Sequence, residues 1–470
     1  MTQSTSSEKI PVTVDRSLLL FEQETANIRR LIWLYILLWV IEGGLRRWFL
    51  PGLATPLLLI RDPVMIAIYC LAISKGLFPA NGFIMIGALL AVTSFLNAML
   101  LGHGNALIAF YGVRCDFFSI PLIFIMGKVL HRKHLFALAR VAVWVAIPYT
   151  ILMVGQFYEP QDSWINHGVG DSSDGAGFDG ALGHYRPPGT FTFITGPSQL
   201  YPLFTACWCL LILAGQIPGW LALASGAAIL VAMPISISRL FFFNVAIVAV
   251  VGIVAMVARS RFSLGIFLRI TAVSVLLPLV AFQVPAFKDG MDAFADRWET
   301  STTDQGGIEG SIVDRMAGDL FGAFDQATMK SLGTGFSTNV GQKLLTGDVG
   351  FGASEGEWGR LLYDNGLVLG TMLILYRTCL AGFIVWAAIK GWQRRQPQAL
   401  VFASAGFLLI LNGQWGQAST QGAATILAGL TLAAAAKDRK KKAKKTTRPD
   451  SSIINDSDSR PQKQITNATI

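Results

Sequence analysis

The residues with the clearest chemical potential are two arginines next to apolar segments. Arg239 closes the sequence Pro234-Ile-Ser-Ile-Ser-Arg239, which separates two apolar runs, and Ser238 directly precedes it. A guanidinium binds an anion through paired hydrogen bonds, and a neighbouring hydroxyl adds a further donor. We therefore interpret Arg239, with Ser238, either as an anion-binding group or as an anchor at the membrane interface.

The second arginine, Arg186, stands in His184-Tyr-Arg186-Pro-Pro-Gly, where a polar loop meets the next apolar run. It is the only basic residue in loop 158–189, which holds five acidic residues. We favour a clamp on a phosphate or a sugar over a plain helix cap. Hydroxyl side chains follow it, and we place them in one helical region: Thr190, Thr192, Thr195 and Ser198.

A carboxylate candidate precedes a later apolar run, in the sequence Glu355-Gly-Glu357-Trp-Gly-Arg360. Glu357 and Arg360 have the i,i+3 spacing of a helical ion pair, whereas Glu355 has no evident local partner. A carboxylate beside an apolar surface can have a raised pKa, and such a group suits general-base chemistry. We predict that Glu355 is the base, with Glu357 and Asp364 as alternatives if the helix begins one turn away.

Arg315 belongs to an amphipathic stretch, 311–332, whose apolar residues recur at near-helical spacing. It is either half of a surface pair with Asp314 or a substrate contact. The sequence Gly333-Thr-Gly335 follows, a pattern that can cradle a phosphate but has low specificity. The candidate substrate-binding residues are Arg315, Arg360, Glu357 and Ser238.

The elements that position these residues are membrane helices. The chain has 470 residues, of which 53% are hydrophobic and 14% charged, and its mean hydropathy is +0.51. Soluble domains are about one quarter charged, and here apolar runs of roughly 18–25 residues, the length that crosses a bilayer, recur along the chain. Because the runs are continuously apolar and do not alternate, they exclude a membrane β-barrel. The composition excludes a soluble, fibrous or disordered protein and predicts an all-α polytopic membrane protein.

We predict about twelve transmembrane helices and three regions. Residues 1–29 are a cytoplasmic N-terminal tail, 30–436 the transmembrane domain, and 437–470 a basic, disordered cytoplasmic tail. Two loops, 158–189 and 286–359, lie on the outer side, and the second is large and partly helical. The predicted spans are 30–48, 55–74, 82–101, 107–129, 135–157, 191–214, 219–237, 240–258, 263–285, 360–389, 399–414 and 418–436.

The distribution of charge orients these spans, because cytoplasmic loops are enriched in Lys and Arg. With both termini inside, the basic residues gather in the inner loops, and residues 437–448 alone hold eight. Loop 286–359 has twelve acidic residues against five basic ones, which is typical of an outer loop. Arg46 and Arg47 are exceptions on the outer side, and we interpret them as interfacial side chains that snorkel.

No metal or other cofactor is expected. The five cysteines lie in or beside apolar runs and are interpreted as buried hydrophobes, while the five histidines form no ligand cluster. The Lys-rich tail is typical of a cytoplasmic segment that contacts anionic lipids. A nucleic-acid partner is therefore not expected.

Four short motifs follow one another along the chain: Arg186-Pro-Pro-Gly-Thr-Phe, Ser236-Ile-Ser-Arg239, Gly333-Thr-Gly335-Phe336 and the segment 355–366. With many spans and one large outer loop before the last few, this order resembles the bacterial O-antigen polymerase and O-antigen ligase superfamily. The resemblance covers residues 30–436. It implies that Arg186 and Arg239 hold a diphosphate.

The resemblance also implies a glycosyltransferase of the bacterial inner membrane. Its donor would be an undecaprenyl-diphosphate-linked glycan, its product O-antigen, capsule or exopolysaccharide, and its partners a flippase and a chain-length regulator of the same pathway. Ligases of the superfamily carry a histidine eleven residues before a Gly-Leu pair, whereas here Glu355 stands eleven residues before Gly366. This difference favours a polymerase over a ligase that joins glycan to another acceptor. A glycan flippase or transporter is the third hypothesis, although it would require charged or broken helices in the membrane.

The orientation yields a testable prediction. Reporter fusions at Gly170 and Thr338 should be active only as exported enzymes, because both positions lie in the acidic loops predicted to be outside. Paired fusions of an exported phosphatase and a cytoplasmic fluorescent protein measure this directly. Fluorescence at either position would contradict the orientation.

Overall fold

The computed structural model describes residues 16–173, 175, 179–259, 276, 279, 281–304, 333–335 and 356–436. The chain forms two compact units, one of Met1–Gln23 with Arg439–Ile470 and the other of Glu24–Asp438. Of the first unit only residues 16–23 are described, and they belong to a helix. Several predicted features lie outside the described residues: Glu355, Arg315, the amphipathic stretch 311–332 and the tail 437–470.

The described residues are mostly helical. The helices are α1 (Arg16–Glu24), α2 (Ala26–Gly44), α3 (Ala54–Leu57), α4 (Arg61–Ser74), α5 (Gly82–Leu100), α6 (Ala106–Phe117), α7 (Ile120–Val129), α8 (Arg132–Tyr158), α9 (Pro197–Ala214), α10 (Gly219–Ile235), α11 (Arg239–Arg259), α12 (Pro285–Asp304), α13 (Glu357–Gln393), α14 (Gln398–Asn412) and α15 (Ala418–Ala435). A short antiparallel hairpin joins β1 (Asp179–Ala181) to β2 (His184–Tyr185). In its register Asp179 faces Tyr185, and Ala181 faces His184.

Within the described residues, seven helical segments are long and apolar enough to cross a membrane. They are Pro51–Ser74, Gly82–Leu100, Ala106–Val129, Arg132–Tyr158, Pro197–Ala214, Arg239–Ala258 and Glu357–Gln393. The helices α10 and α14 are apolar but shorter. The chain is therefore a helical membrane protein, as its composition predicts. The count of twelve spans stays a prediction, since the span at 263–285 lies largely outside the described residues.

The predicted span 191–214 becomes helical only at Pro197. Residues 186–196 form turns instead, because the two prolines there lack an N–H and Gly189 has a φ of +60°. The Thr190 hydroxyl donates to a carbonyl of α2 at 2.6 Å, so it fastens the turn to another helix. The predicted helical seam of hydroxyls is thus wrong for its first three members, and only the fourth lies in α9.

The helix α15 occupies the centre of the second unit and packs against α2, α6, α7, α8, α9, α13 and α14. Its sequence is rich in Ala, Gly and Thr, and nearly every residue in it is buried. A Cβ on Gly422 would lie 2.2 Å from Nη1 of Arg61, and one on Gly429 would lie 2.7 Å from Sδ of Met126. Small side chains allow this close approach of helices. Helices in a bilayer associate through such packing, because no hydrophobic effect drives them together there.

The sequence predicts one continuous span over 360–389. In the structure, α13 is broken at Gly366. This residue has φ 73° and ψ −179°, a conformation available to glycine and strongly unfavourable for other residues. The chain therefore folds back, and the short helix 357–365 packs along the start of the long helix that follows. A Cβ on Gly370 would lie 2.8 Å from the carbonyl oxygen of Leu361, so the two segments touch backbone to backbone.

The break leaves peptide carbonyls without helical partners, and the segment 333–335 supplies the donors. The N–H of Thr334 donates to the carbonyl of Tyr363 at 3.1 Å, and that of Gly335 to the carbonyl of Asp364 at 2.9 Å. A Cβ on Gly333 would lie 2.5 Å from the latter oxygen. This backbone contact accounts for the Gly-Thr-Gly pattern without a phosphate.

The break can be tested with a matched pair of substitutions in α13. Gly366→Ala should lower the melting temperature in detergent by several degrees, because a Cβ at this backbone conformation costs about 1–3 kcal/mol. Gly382→Ala, at a position with open space in the same helix, should leave the melting temperature unchanged or slightly higher. Equal melting temperatures for the two variants would contradict the role assigned to the break.

Candidate functional site

The segment that carries Arg186 is fixed to the end of α8. The ring of His184 stacks on Phe157 with centroids 3.9 Å apart, and its Nδ1 lies 3.0 Å from the carbonyl oxygen of the same residue. Directly after the hairpin comes Arg186, which is half-buried, and the Pro-Pro-Gly that follows is buried. The hairpin therefore holds Arg186 at the edge of the helix bundle.

Arg47 braces the same loop from inside the protein. Its Nε donates to the carbonyl of His167 at 2.7 Å, and its Nη1 donates to the carbonyls of Gly189 and Phe191, both at 2.9 Å. Its Nη2 donates to the carbonyl of Ile165 at 3.0 Å. The side chain is fully buried, so snorkelling is the wrong explanation for Arg47. The turns of this loop leave peptide carbonyls unbonded, and one guanidinium has enough N–H groups for four of them.

A second brace comes from Gln156 near the end of α8. Its amide nitrogen donates to the carbonyls of Ile165 and Gly189, at 3.1 and 3.0 Å, and its amide oxygen accepts from the N–H of Gly189 at 2.7 Å. Gln156 is itself buried. Both the N–H and the carbonyl of Gly189, three residues after Arg186, are therefore hydrogen-bonded to Gln156.

The turn between α10 and α11 carries Arg239 and is strained. Ile237 is buried and has a φ of +44°, a conformation that is an outlier for a β-branched residue. The Ser238 hydroxyl accepts from the N–H of Phe241 at 3.4 Å, so Ser238 caps the first turn of α11. Its own O–H group donates no hydrogen bond to the described residues. Such strain costs about 1–3 kcal/mol and occurs most often at functional sites.

The two arginine-bearing segments meet at one end of the bundle. A Cβ on Gly180, in β1, would lie 2.6 Å from Cδ1 of Ile237, so the hairpin rests on the strained turn. The helix α12 covers the same place, since a Cβ on Gly290 would lie 3.0 Å from the backbone nitrogen of Ile235. We call the hairpin with Arg186 (179–186), the turn with Arg239 (236–239) and α12 the arginine end.

Side chains of α12 contact Arg239 and the end of α8 directly. The guanidinium carbon of Arg239 lies 5.8 Å from the centroid of the Trp298 ring, within the range of a cation–π contact. The Tyr158 hydroxyl, at the end of α8, donates to the carboxylate of Asp289. The arginine end therefore combines guanidinium groups, an aromatic ring and a carboxylate, a mixture that suits phosphate and sugar groups.

Glu357 and Arg360 form the predicted ion pair, but they belong to a larger buried group. Arg360 donates to Glu357 through Nε at 3.0 Å and Nη2 at 2.9 Å, to Asp364 through Nη1 at 3.1 Å and to Asp116 through Nη2 at 2.9 Å. Arg377 also donates to Glu357, through Nη1 at 2.5 Å. We call these five residues the Arg360 cluster. The fold-back at Gly366 is what brings the two halves of α13 together here.

The sequence prediction missed two members of this cluster, Asp116 and Arg377. Each lies inside a predicted apolar span, 107–129 or 360–389, where an ionisable residue is costly and must find a partner. That signal was present in the sequence. The identity of the partners was not, because they come from helices far apart along the chain.

A second set of buried ion pairs lies at the start of α4. Arg61 donates to Glu42 through Nε at 3.1 Å and to the carbonyl of Ala418 through Nη2 at 2.6 Å. Arg114 holds both carboxylate oxygens of Asp62, at 2.6 and 2.9 Å. These pairs join α2, α4 and α6 to the beginning of the central helix α15.

No group of three or more His, Cys, Asp or Glu residues that could hold a metal ion occurs among the described residues. No family model, no curated protein and no solved structure matches this chain. The arginine end and the Arg360 cluster are the two regions among the described residues whose chemistry bears on function.

Proposed function

We propose that this chain is a membrane glycosyltransferase that polymerises undecaprenyl-diphosphate-linked oligosaccharide repeats. The observation that carries the proposal is the meeting of the Arg186 and Arg239 segments, where Gly180 rests on Ile237. Two guanidiniums on neighbouring segments can balance the charge of a departing diphosphate. Each of the two elements is fixed by buried hydrogen bonds, so little reorganisation is needed when the substrate binds.

The transfer step balances without a cofactor. The acceptor sugar hydroxyl attacks the anomeric carbon of the donor, a new C–O bond forms, and the bond from that carbon to the diphosphate oxygen breaks. The diphosphate leaves with the electron pair and is stabilised by Arg186 and Arg239. The hydroxyl proton passes to Glu355, which we assign as the general base. Ser238 donates a hydrogen bond through its hydroxyl to a substrate oxygen beside Arg239, and Arg315 adds a further contact.

The cellular setting belongs to the same proposal. The reaction takes place on the outer face of the bacterial inner membrane, with both termini in the cytoplasm and the product an O-antigen, a capsule or an exopolysaccharide. A flippase would supply the lipid-linked repeat, a chain-length regulator would act on the polymer, and the Lys-rich tail would contact anionic lipids. Ligase activity is the alternative on the same site, disfavoured because Glu355 occupies the place of the ligases' histidine.

A transporter is the second candidate, and one observation favours it. The helix α13 is broken at Gly366 and carries the buried Arg360 cluster, features that secondary transporters place at their binding sites. The experiment that separates the candidates is deletion of the gene followed by analysis of the glycans. Single lipid-linked repeats on the outer face indicate a polymerase, lipid-linked polymer indicates a ligase, and repeats retained on the inner face indicate a flippase.

The roles of the arginines predict a specific mutational pattern. Arg186→Ala and Arg239→Ala should each abolish most polymer while the protein stays in the membrane, and the Lys variants should restore only part of it, because an ammonium lacks the bidentate fork. Arg140→Ala, at an exposed position outside the arginine end, is the matched control and should behave as wild type. Glycan gels and membrane immunoblots measure both quantities. Normal polymer in both Ala variants would identify the arginines as anchors.

The base assignment predicts that Glu355→Gln lowers the transfer rate by about a hundred- to ten-thousand-fold. Glu159→Gln, at an exposed loop position, is the control for loss of an acidic residue and should keep full activity. Glu357→Gln removes the partner of two buried guanidiniums and should reduce the folded amount. Per folded molecule it should lose less activity than Glu355→Gln. A purified Glu355→Gln variant with the wild-type rate would refute the assignment.

A further inference from the structure

The Arg360 cluster holds more negative than positive charge. It contains three carboxylates, from Asp116, Glu357 and Asp364, and two guanidiniums, from Arg360 and Arg377. Every one of the five side chains is buried. With all five ionised the formal charge would be −1, inside a part of the protein that is surrounded by apolar helices. An unbalanced charge there is strongly unfavourable.

The hydrogen bonds within the cluster are shared unequally. Glu357 accepts from both guanidiniums, with two bonds from Arg360 and one from Arg377. Asp116 accepts through Oδ2 from Nη2 of Arg360 at 2.9 Å, and that same nitrogen also serves Glu357. The other oxygen of Asp116, Oδ1, is buried and accepts no hydrogen bond from the described residues. Asp116 is 4% exposed and is thus the carboxylate with the poorest compensation.

Among the described residues, the neighbouring helices bring no further charged side chain to Asp116. The helices α5 and α15, which pack against α6, and α14, which packs against α13, contain no ionisable residue. The ionisable residue in α7, Lys128, lies in the last turn of that helix. On α6 itself, Arg114 is engaged by both oxygens of Asp62, and Nη1 of Arg114 lies 3.6 Å from Sγ of Cys115.

The two arginines beside Glu42, Arg61 and Arg46, have their own partners. Arg61 bonds Glu42 and the carbonyl of Ala418, and Arg46 lies 3.5 Å from the same Glu42 carboxylate. Glu42 therefore has two arginine partners for one negative charge. Arg46, whose side chain is 12% exposed, is the partner nearer the surface. It does not reach the unbonded oxygen of Asp116.

We propose that Asp116 is a proton-binding site within the membrane-embedded part of the chain. A proton taken from water forms an O–H bond at Oδ1 and makes the carboxyl group neutral, which leaves two carboxylates for two guanidiniums. A neutral acid with one unsatisfied polar atom costs far less in this setting than an ion with one unsatisfied oxygen. Release of the proton adds an unbalanced charge to the contact that holds the short helix 357–365 against α6, so protonation and that contact are linked. This site is independent of the glycosyltransferase proposal.

Infrared spectroscopy of the purified full chain tests the proposal. At neutral pH, protein made with carbon-13 in the aspartate carboxyl groups should show the carbonyl band of a protonated carboxylic acid, shifted relative to unlabelled protein and shifted again in heavy water. The Asp116→Asn variant should lose this band and keep its melting temperature, because Asn has the size and neutrality of the protonated acid. The absence of any aspartate-dependent acid band in the wild type would overturn the proposal.

Asp62→Asn is the matched control, since Asp62 is a half-buried aspartate bonded through both oxygens to one guanidinium. It should retain the acid band but lower the melting temperature, because Arg114 is left without its partner. Retention of the band in Asp116→Asn would place the proton elsewhere and refute the assignment. If that variant does not accumulate, Asp116→Glu decides, because its carboxyl group does not carry the aspartate label: an acid band without the isotope shift supports Asp116, and a band that keeps the shift contradicts it.

Discussion

A charged or peptide group buried among apolar helices needs a hydrogen-bond partner, and arginine is the donor that the fold uses to satisfy many of the acceptors. Arg47 bonds four peptide carbonyls of one loop, Arg61 ties a carboxylate to the start of α15, and Arg360 joins three carboxylates. The guanidinium suits this task because it offers five N–H donors in a fixed plane. Loops that must hold a shape without a β-sheet or a helix depend on these contacts.

Close backbone packing is the second requirement, and it explains where the glycines lie. The helix α15 can occupy the centre of the bundle because Gly422 and Gly429 face bulky neighbours on α2, α4 and α7. The fold-back at Gly366 also depends on close backbone packing, because it turns one long apolar segment into a hairpin within the bundle. That hairpin is what delivers Glu357 to Arg377, twenty residues later in the chain.

The described part of the protein therefore contains two chemically different regions. The arginine end is partly open and carries guanidinium groups on elements fixed by buried hydrogen bonds, which suits an anionic substrate that arrives and departs. The Arg360 cluster is closed, and its charges are bonded to one another, which suits a structural or proton-binding role. Glu357 and Arg360, first interpreted as substrate contacts, lie in the closed region, so a contact with substrate would require the short helix 357–365 to move.

Composition and the length of the apolar runs were sufficient to predict a helical membrane protein, because bilayer thickness fixes the length and polarity of a spanning helix. Local spacing also predicted the Glu357–Arg360 pair, since residues three apart always share a helix face. The sequence could not show that Arg47 braces a loop more than a hundred residues away, that 186–196 is not helical, or that Gly366 reverses the chain. Those features depend on which helices become neighbours. Only the tertiary structure decides which distant carbonyl or carboxylate meets each buried donor.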